Sequence, residues 1–191
     1  MRVLVACEYS AVVRNAFLAR GHDAMSCDLL PSDKLGPHYE GDVFDIIDKD
    51  WDLMIAHPPC THLAVSGARH FAAKRESGVQ QEALEFVRRL LDADIPKIAL
   101  ENPVSIISSR IRQPDQIVQP WMFGHEETKA TCLWLKGLPP LTETNNVREH
   151  MLTLPKSERN RVHYMSPGPN RWKLRSTTYA GFAAAMAEQW G

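Results

Sequence analysis

The sequence predicts a Rossmann-like α/β fold, a mostly parallel sheet with helices on both faces, and two observations indicate it. Short apolar runs alternate with stretches of helical periodicity, which is the pattern of a parallel sheet whose crossovers are helices. Polar residues then stand at or just after the ends of the apolar runs, namely Cys7, Asp28, Cys60 and Glu101. Right-handed crossovers place these ends along one edge of the sheet, where such folds bind their ligands.

The bulk composition is that of one globular domain over residues 1–191. Hydrophobic residues make up 44% and charged residues 24%, and 22 basic side chains nearly balance 23 acidic ones. Net charge therefore neither favours nor excludes nucleic acid as a partner. The four cysteines are widely spaced with no CxxC pair, and no stretch approaches the about 18 apolar residues of a membrane span. We therefore expect a cytoplasmic protein with reduced thiols and no membrane attachment.

Strands and helices alternate in order along the first half of the chain. Strand-length apolar runs occupy residues 2–7, 23–28, 51–56 and 95–100. Helical spacing occupies residues 12–18 and 81–93. Gly21 stops the first helix, and Pro58 and Pro59 stop the third strand because proline cannot continue a central strand. The polar residues 66–78 predict a mobile loop or a broken helix.

The pattern weakens after Pro103. Residues 131–135 predict a strand, and residues 179–190 predict an Ala-rich closing helix with Thr177 or Thr178 available as its cap. Residues 142–175 have little regular pattern, but they hold seven basic side chains against three acidic ones. We therefore interpret residues 142–175 as an irregular basic insert.

Cys60, directly after the rigid Pro-Pro turn, is the candidate nucleophile. A thiolate is a soft nucleophile whose pKa nearby cations lower. Glu101 ends another predicted strand, so the two side chains form a candidate pair for attack on an electron-poor ring, with the acid assisting while sulfur adds. The alternatives are an ordinary buried cysteine and a solvated strand-end acid.

Zinc binding is a further interpretation of this stretch. His57, Cys60 and His62 are close in sequence, and zinc deaminases use H-x-E with P-C-x-x-C. The second cysteine and the H-x-E are both absent here, and the spacing fits no standard zinc site. We therefore expect no metal.

The loop after the first strand is the expected position of a nucleotide-like cofactor, because backbone amides there meet ligands. This loop consists of Cys7, Glu8, Tyr9 and Ser10. It lacks the G-x-G-x-x-G fingerprint of phosphate binding. Asp28 is expected to accept hydrogen bonds from a ribose, and Asp42 from an adenine amino group. The alternative for each acid is a solvated turn or a helix cap.

Two basic stretches predict contact with nucleic acid. The residues expected to contact it are Arg69, Lys74, Arg75, Arg171, Lys173 and Arg175. Trp172, His163 and Tyr164 lie beside the second stretch, which is compatible with gripping phosphate and stacking a base. An ordinary solvated surface is the alternative.

Together these features resemble the DNA cytosine-5 methyltransferases, most closely their short phage- or prophage-type members. Pro58-Pro59-Cys60 resembles the family's Pro-Pro-Cys, whose cysteine attacks C6 of cytosine. Glu101-Asn102-Pro103 resembles its Glu-Asn-Val, whose glutamate contacts N3. The match runs over about residues 1–135 and again over 179–190, which resembles the terminal helix beside the cofactor site.

The resemblance implies an S-adenosylmethionine-dependent methyltransferase fold and methyl transfer to carbon 5 of cytosine in DNA. It implies that the first loop, Asp28, Asp42 and Pro58 contact the cofactor, and that Lys129 stands in for the family's Gln-x-Arg-x-Arg motif. The chain has little room for a full target-recognition domain, and residues 142–175 are a candidate minimal replacement.

Two alternatives remain open on the sequence. The family's first loop is Gly-rich and its cysteine is followed by Gln, whereas this chain has Glu8-Tyr9-Ser10-Ala11 and Thr61. These departures favour a catalytically degenerate methyltransferase fold that binds DNA or a protein partner. An amino-methyltransferase is the second alternative, although His57-Pro58-Pro59-Cys60 lacks that group's aromatic residue after Pro-Pro.

Overall fold

A single seven-stranded sheet organises the chain in the computed structural model, which describes residues 1–191. The strands are β1 (Arg2–Ala6), β2 (Asp23–Asp28), β3 (His38–Glu40), β4 (Leu53–Ala56), β5 (Lys97–Pro103), β6 (Gln116–Val118) and β7 (Thr131–Lys136). Their order is β3-β2-β1-β4-β5-β7-β6. The first five strands run parallel, and β7 pairs antiparallel with both β5 and β6. The predicted α/β fold class is confirmed.

Helices cover both faces of this sheet. They are α1 (Val12–Ala19), α2 (Phe71–Glu76), α3 (Val79–Leu91), α4 (Ile107–Arg110), α5 (Arg148–Thr153), α6 (Lys156–Arg159), α7 (Arg161–Tyr164), α8 (Arg171–Ser176) and α9 (Ala180–Gln189). Helices α1 and α9 pack side by side on one face, and α3 covers the other. None of the helices is both long enough and apolar enough to cross a membrane.

Successive side chains of the central strands point to opposite faces of the sheet, so the hydrophobic core has two parts. Val3 and Val5 of β1 belong to the cluster that contains residues of α1 and α9, whereas Leu4 and Ala6 belong to the cluster that contains residues of α3. Successive residues of a strand point to opposite faces, so a strand covered on both sides is apolar throughout. All four side chains are fully buried. Each larger one contributes about 1.5–3 kcal/mol by leaving water.

The position of Glu101 corrects the sequence prediction. We expected the strand to end at Leu100 and Glu101 to follow it. Strand β4 does end opposite Leu100, but β5 continues to Pro103 because β7 pairs with it there. Glu101 therefore lies inside β5, opposite Leu133, and projects beyond the end of its parallel neighbour.

The structure decides several local predictions. Residues 66–78 form a broken helix, one of the two predicted alternatives, with a 3₁₀ turn over Val65–His70 followed by α2. The segment 142–175 contains the short helices α5 to α8 and is therefore more regular than predicted. The closing helix is capped by neither threonine: Tyr179 is its N-cap, and the Thr177 hydroxyl donates to the Lys173 carbonyl at 2.9 Å.

Candidate active site at the Pro-Pro-Cys turn

The turn after β4 presents Cys60 at the surface. The backbone amide of His57 still donates to the Ala6 carbonyl, at 2.9 Å, so the chain leaves the sheet only at the prolines. Pro58 is buried, whereas Cys60 is exposed. The Cys60 carbonyl then accepts hydrogen bonds from the amides of Leu63 and Ala64, at 3.0 and 2.9 Å. These bonds close a tight turn, so the thiol is held between a strand end and a hydrogen-bonded loop.

Asn102 fixes this turn from the neighbouring strand. Its side-chain Nδ2 donates to the carbonyl of Pro58 at 2.8 Å. Asn102 is 1% exposed, and its Oδ1 has no partner in the protein. A buried hydrogen bond of this kind is costly to break, because the Pro58 carbonyl would be left unpaired. The residue after Glu101 therefore anchors the turn that carries Cys60.

Glu101 is held by His57. The imidazole Nδ1 donates to Oε2 of Glu101 at 2.9 Å, with side chains only 11% and 13% exposed. Burial alone would raise the pKa of Glu101. The hydrogen bond and charge of His57, together with the charge of Lys129, outweigh burial and hold that pKa below its ordinary value. Glu101 is therefore a carboxylate at neutral pH before any substrate binds.

The thiol of Cys60 lies in the field of the same groups. Desolvation raises the pKa of Cys60 above its ordinary value, and the negative charge of Glu101 raises it further. The positive charges of Lys129 and Arg175 act in the opposite direction. The pKa of the Cys60 thiol therefore depends on the charge of Glu101 and on the opposing charges of Lys129 and Arg175.

A cavity of about 440 Å³ lies at the carboxyl ends of β1 and β2. Its walls are Cys7, Cys27, Asp28, Leu29, Gly41, Asp42, Val43, Pro59, His62, Val79, Glu82, Ala83 and Phe86. Three predicted cofactor residues, Cys7, Asp28 and Asp42, therefore share one pocket. Burial raises the pKa of Asp28, although the Leu30 amide donates to its Oδ1 at 3.0 Å and opposes that shift. Acidic and apolar walls together suit a nucleoside, with its polar ribose and flat base.

The residues of the first loop after Cys7 make contacts within the protein and do not line this cavity. Glu8 is buried and accepts hydrogen bonds from the amides of Val13 and Arg14, at 2.7 and 3.1 Å, so its carboxylate occupies the N-terminus of α1. The Ser10 hydroxyl donates to the same carboxylate at 3.2 Å. The loop takes left-handed backbone at Cys7, with φ 59°, a conformation that usually favours glycine. Here a non-glycine residue makes the turn.

The remaining predicted cofactor residues are not in the cavity walls. The ring of Tyr9 lies 5.5 Å from that of Trp172, and its hydroxyl donates to the Lys173 carbonyl at 3.3 Å. Pro58 is turned into the protein, and Pro59 lines the cavity instead. In the first loop, therefore, Cys7 lines the cavity, whereas the residues after it stabilise the surrounding structure.

The predicted nucleic-acid contacts divide into two groups. Lys74 donates to the Thr61 carbonyl beside Cys60, and Lys129 and Arg175 act on the Cys60 thiol. Of the others, three have partners within the protein and one is exposed. Arg69 donates to His70 at 2.9 Å, Arg75 is exposed on α2, Arg171 donates to the Met165 carbonyl at 2.8 Å, and Lys173 pairs with Asp33 at 3.3 Å.

Sequence reasoning missed the roles of His57 and Asn102. His57 was weighed only as a zinc ligand with Cys60 and His62, but it pairs with Glu101, and no three His, Cys, Asp or Glu side chains converge as a metal site. The available signal was that each residue is polar and adjoins a candidate catalytic motif at a strand end.

Neither a protein-family model nor a curated protein matches the chain. Among solved structures, the chain is similar to a prophage-encoded E. coli protein provisionally described as a DNA modification methyltransferase, with 14% sequence identity and a TM-score of 0.45. The similarity covers 82% of this chain and 56% of that structure, so the chain spans little more than half of its length.

Proposed function

We propose that the protein transfers a methyl group from S-adenosylmethionine to carbon 5 of cytosine in DNA, with Cys60 as nucleophile. One observation carries the proposal: two hydrogen bonds tie the Pro-Pro-Cys turn to the Glu-Asn-Pro segment. Asn102 binds the Pro58 carbonyl at 2.8 Å, and His57 binds Glu101 at 2.9 Å. A nucleophile and a carboxylate held in one electrostatic cluster form the pair that attack on a pyrimidine requires.

The 440 Å³ cavity supports a nucleoside-containing cofactor, since its volume lies in the range of about 300–1,000 Å³ that small-molecule sites occupy. Asp28 would hold the ribose hydroxyls and Asp42 the adenine amino group, with Phe86 against the base. Pro59 lines this cavity and directly precedes Cys60 in the chain. S-adenosylmethionine, when bound, supplies an electrophilic methyl group.

The side chains of this chain account for the remaining chemistry. The Cys60 thiol gives its proton to water, the resulting thiolate forms a bond to C6 of cytosine, and the proton that His57 shares with Glu101 passes through Glu101 to N3. The ring electrons displaced by this addition make C5 nucleophilic, and C5 takes the methyl group. Water then takes the C5 proton, the electron pair of that bond restores the C5–C6 double bond, the sulfur leaves C6 as the Cys60 thiolate, and the N3 proton returns to Glu101. Because the pKa of Cys60 is raised, the cations Lys129 and Arg175 are needed to favour the thiolate.

DNA is the proposed partner, and a base in a duplex would have to leave the stack to reach Cys60. The test is incubation with methyl-labelled S-adenosylmethionine and cytosine-containing single- and double-stranded DNA, followed by digestion and nucleoside analysis. We expect 5-methylcytosine with the natural protein and none with Cys60→Ser. Label at the amino group would overturn the proposed C5 chemistry and support an amino-methyltransferase instead.

A degenerate methyltransferase fold that binds DNA or a protein is the second candidate. The observation that favours it is Glu8, whose carboxylate fills the N-terminus of α1 and caps its first amides. That position is where anionic or nucleotide ligands commonly meet a helix. Retained DNA binding without S-adenosylmethionine binding by calorimetry would support this candidate and contradict methyl transfer.

A further inference from the structure

A second cavity, of about 290 Å³, lies where the segment before β7 meets α7, α8 and the start of α9. Its walls are His125, Lys129, Arg161, Val162, Leu174, Arg175, Thr177, Thr178, Tyr179 and Ala180. No acidic residue is among them. This cavity is separate from the 440 Å³ pocket and shares none of its residues.

The polar framework behind the cavity is already satisfied. Glu127 accepts hydrogen bonds from Arg161 at 2.9 Å and from the Tyr179 hydroxyl at 2.8 Å. His125 accepts a hydrogen bond from the Gly181 amide at 2.9 Å. These contacts neutralise Arg161 and fix the orientation of Tyr179, so the cavity wall is built before any ligand arrives.

Two cations in the wall form no ion pair. The side chains of Lys129 and Arg175 have no hydrogen-bond or ion-pair partner in the protein, and both are only partly exposed. The Lys129 ammonium lies 5.8 Å from the centre of the Tyr179 ring. Two unpaired cations in a cavity without acids make a site for an anion, because a charge-assisted hydrogen bond there replaces water at both partners.

The two unpaired cations of the cavity wall act electrostatically on the reaction centre. Lys129 and Arg175 are the two cations whose charges reach Cys60, and Lys129 also reaches Glu101. An anion between these cations would therefore lie close to a base held at the thiol. A nucleotide is a ligand that carries a base and an anionic phosphate together.

We propose that the cavity between Lys129 and Arg175 binds the phosphate group of the nucleotide whose base reacts at Cys60. The inference rests on the proposed function and adds the group by which the acceptor is held. The planar guanidinium of Arg175 matches two phosphate oxygens, and the Lys129 ammonium adds a point charge. The phosphate is either a terminal monoester of a free nucleotide or a diester within a DNA strand.

Two matched ligand pairs test the proposal by calorimetry in the absence of methyl transfer. The first pair is 2′-deoxycytidine 5′-monophosphate against 2′-deoxycytidine. The second pair is a single-stranded oligonucleotide with one cytosine against the same strand carrying a neutral methylphosphonate on the 5′ side of that cytosine. We expect the charged member of at least one pair to bind about tenfold more tightly, as a charge-assisted hydrogen bond allows. The pair that discriminates identifies the phosphate source.

Variants of the two cations test whether this cavity causes the preference for charged over neutral ligands. Arg175→Gln and Lys129→Gln should each remove most of the difference between the charged and neutral ligands and leave the affinity for the neutral ligand unchanged. Lys156→Gln, which removes an exposed cation outside the cavity, should leave both affinities unchanged. Equal binding of charged and neutral ligands in both pairs, or equal loss of both affinities in Arg175→Gln, would overturn the proposal.

The two proposals fail separately. In one outcome the protein prefers the charged ligands, loses that preference in Arg175→Gln, and yet forms no 5-methylcytosine. That result would support the phosphate site and reject the methyl transfer. Formation of 5-methylcytosine without any preference for the charged ligands would retain the methyl transfer and reject the phosphate site.

Discussion

The imidazole of His57 and the carboxylate of Glu101 form a hydrogen-bonded pair at 2.9 Å between two neighbouring strands. The pair keeps Glu101 ionised in the free protein. A carboxylate donates no hydrogen bond, so assistance at cytosine N3 requires a proton to be shared between His57, Glu101 and the base. His57 is therefore expected to set the protonation state of Glu101.

Replacing His57 with Phe should raise the pKa of Glu101, because the remaining dominant influence is burial. Carbon-detected NMR titration of the Glu101 carboxyl measures this shift. His150→Phe is the matched control, since His150 contacts Glu126 at 2.8 Å in a solvent-exposed pair elsewhere. An unchanged Glu101 titration in His57→Phe would contradict the assigned cause.

The same pair predicts how stability depends on pH. The pKa of Glu101 is lower in the folded chain than in the unfolded chain. Its ionisation therefore stabilises the fold fully above the unfolded pKa, and this contribution is lost as pH falls through the folded pKa. In His57→Phe burial places the folded pKa of Glu101 above its unfolded pKa, so this acid-side loss disappears and Glu101 instead lowers stability as pH rises through its folded pKa. Urea unfolding at a series of pH values measures it, and parallel curves for the two proteins would contradict the prediction.

Replacing Asn102 with Ala should lower the free energy of unfolding by about 1–3 kcal/mol, because the buried Pro58 carbonyl loses its donor. The Cys60 turn should also loosen and lower the transfer rate. Asn146→Ala is the surface control, since Asn146 is exposed. Urea unfolding distinguishes the two, and an Asn102→Ala protein as stable as the control would show that the bond contributes nothing.

The alkylation rate of Cys60 should depend on the charged side chains that act on its thiol. Cys60 is exposed whereas Cys27 and Cys132 are buried, so iodoacetamide should modify Cys60 first. Because the charge of Glu101 raises the pKa of Cys60, Glu101→Gln should accelerate alkylation at neutral pH. Lys129→Gln should slow it. Mass spectrometry of timed samples gives the rates, and opposite signs would disprove the electrostatic arrangement.

Arg14 should be needed for the loop beside the 440 Å³ cavity. It is fully buried and donates to the carbonyls of Lys34 and Leu35, at 3.2 and 2.9 Å. Arg14→Met removes these bonds together with those to the Ser32 hydroxyl and the Pro37 carbonyl, at 3.2 and 3.3 Å, so the free energy of unfolding should fall by about 2 kcal/mol or more. Arg20→Met, which removes a surface pair with Glu188, should cost about 1 kcal/mol or less. Similar urea midpoints for both variants would contradict this role.

The sequence alone predicted the sheet and the candidate pair, because their signals are local. Apolar runs that stop at prolines or acids mark the strand ends, and Cys60 and Glu101 follow from them. The strands β3 and β6 have only three residues each, too few for an alternating pattern to distinguish them from loop. The four short helices of residues 142–175 are missed for the same reason.

The roles of His57 and Asn102 depend on register between strands. Asn102 reaches Pro58 only because β5 extends beyond β4, and that extension depends on pairing with β7, thirty residues later in the chain. Hydrophobic periodicity identifies a strand but does not fix its end relative to a neighbour. The same limit applies to Glu8, whose capping of α1 was not visible in a loop expected to contact a cofactor.

Covalent trapping measures whether Cys60 forms a bond to the cytosine that receives the methyl group. An oligonucleotide containing 5-fluorocytosine is incubated with the protein and S-adenosylmethionine, because fluorine at C5 cannot leave as the proton does. The account predicts a stable protein–DNA adduct whose mass includes one methyl group and whose peptide map places the link at Cys60. Absence of the adduct in a protein that methylates ordinary cytosine-containing DNA, or an undiminished adduct in Cys60→Ser, would contradict it.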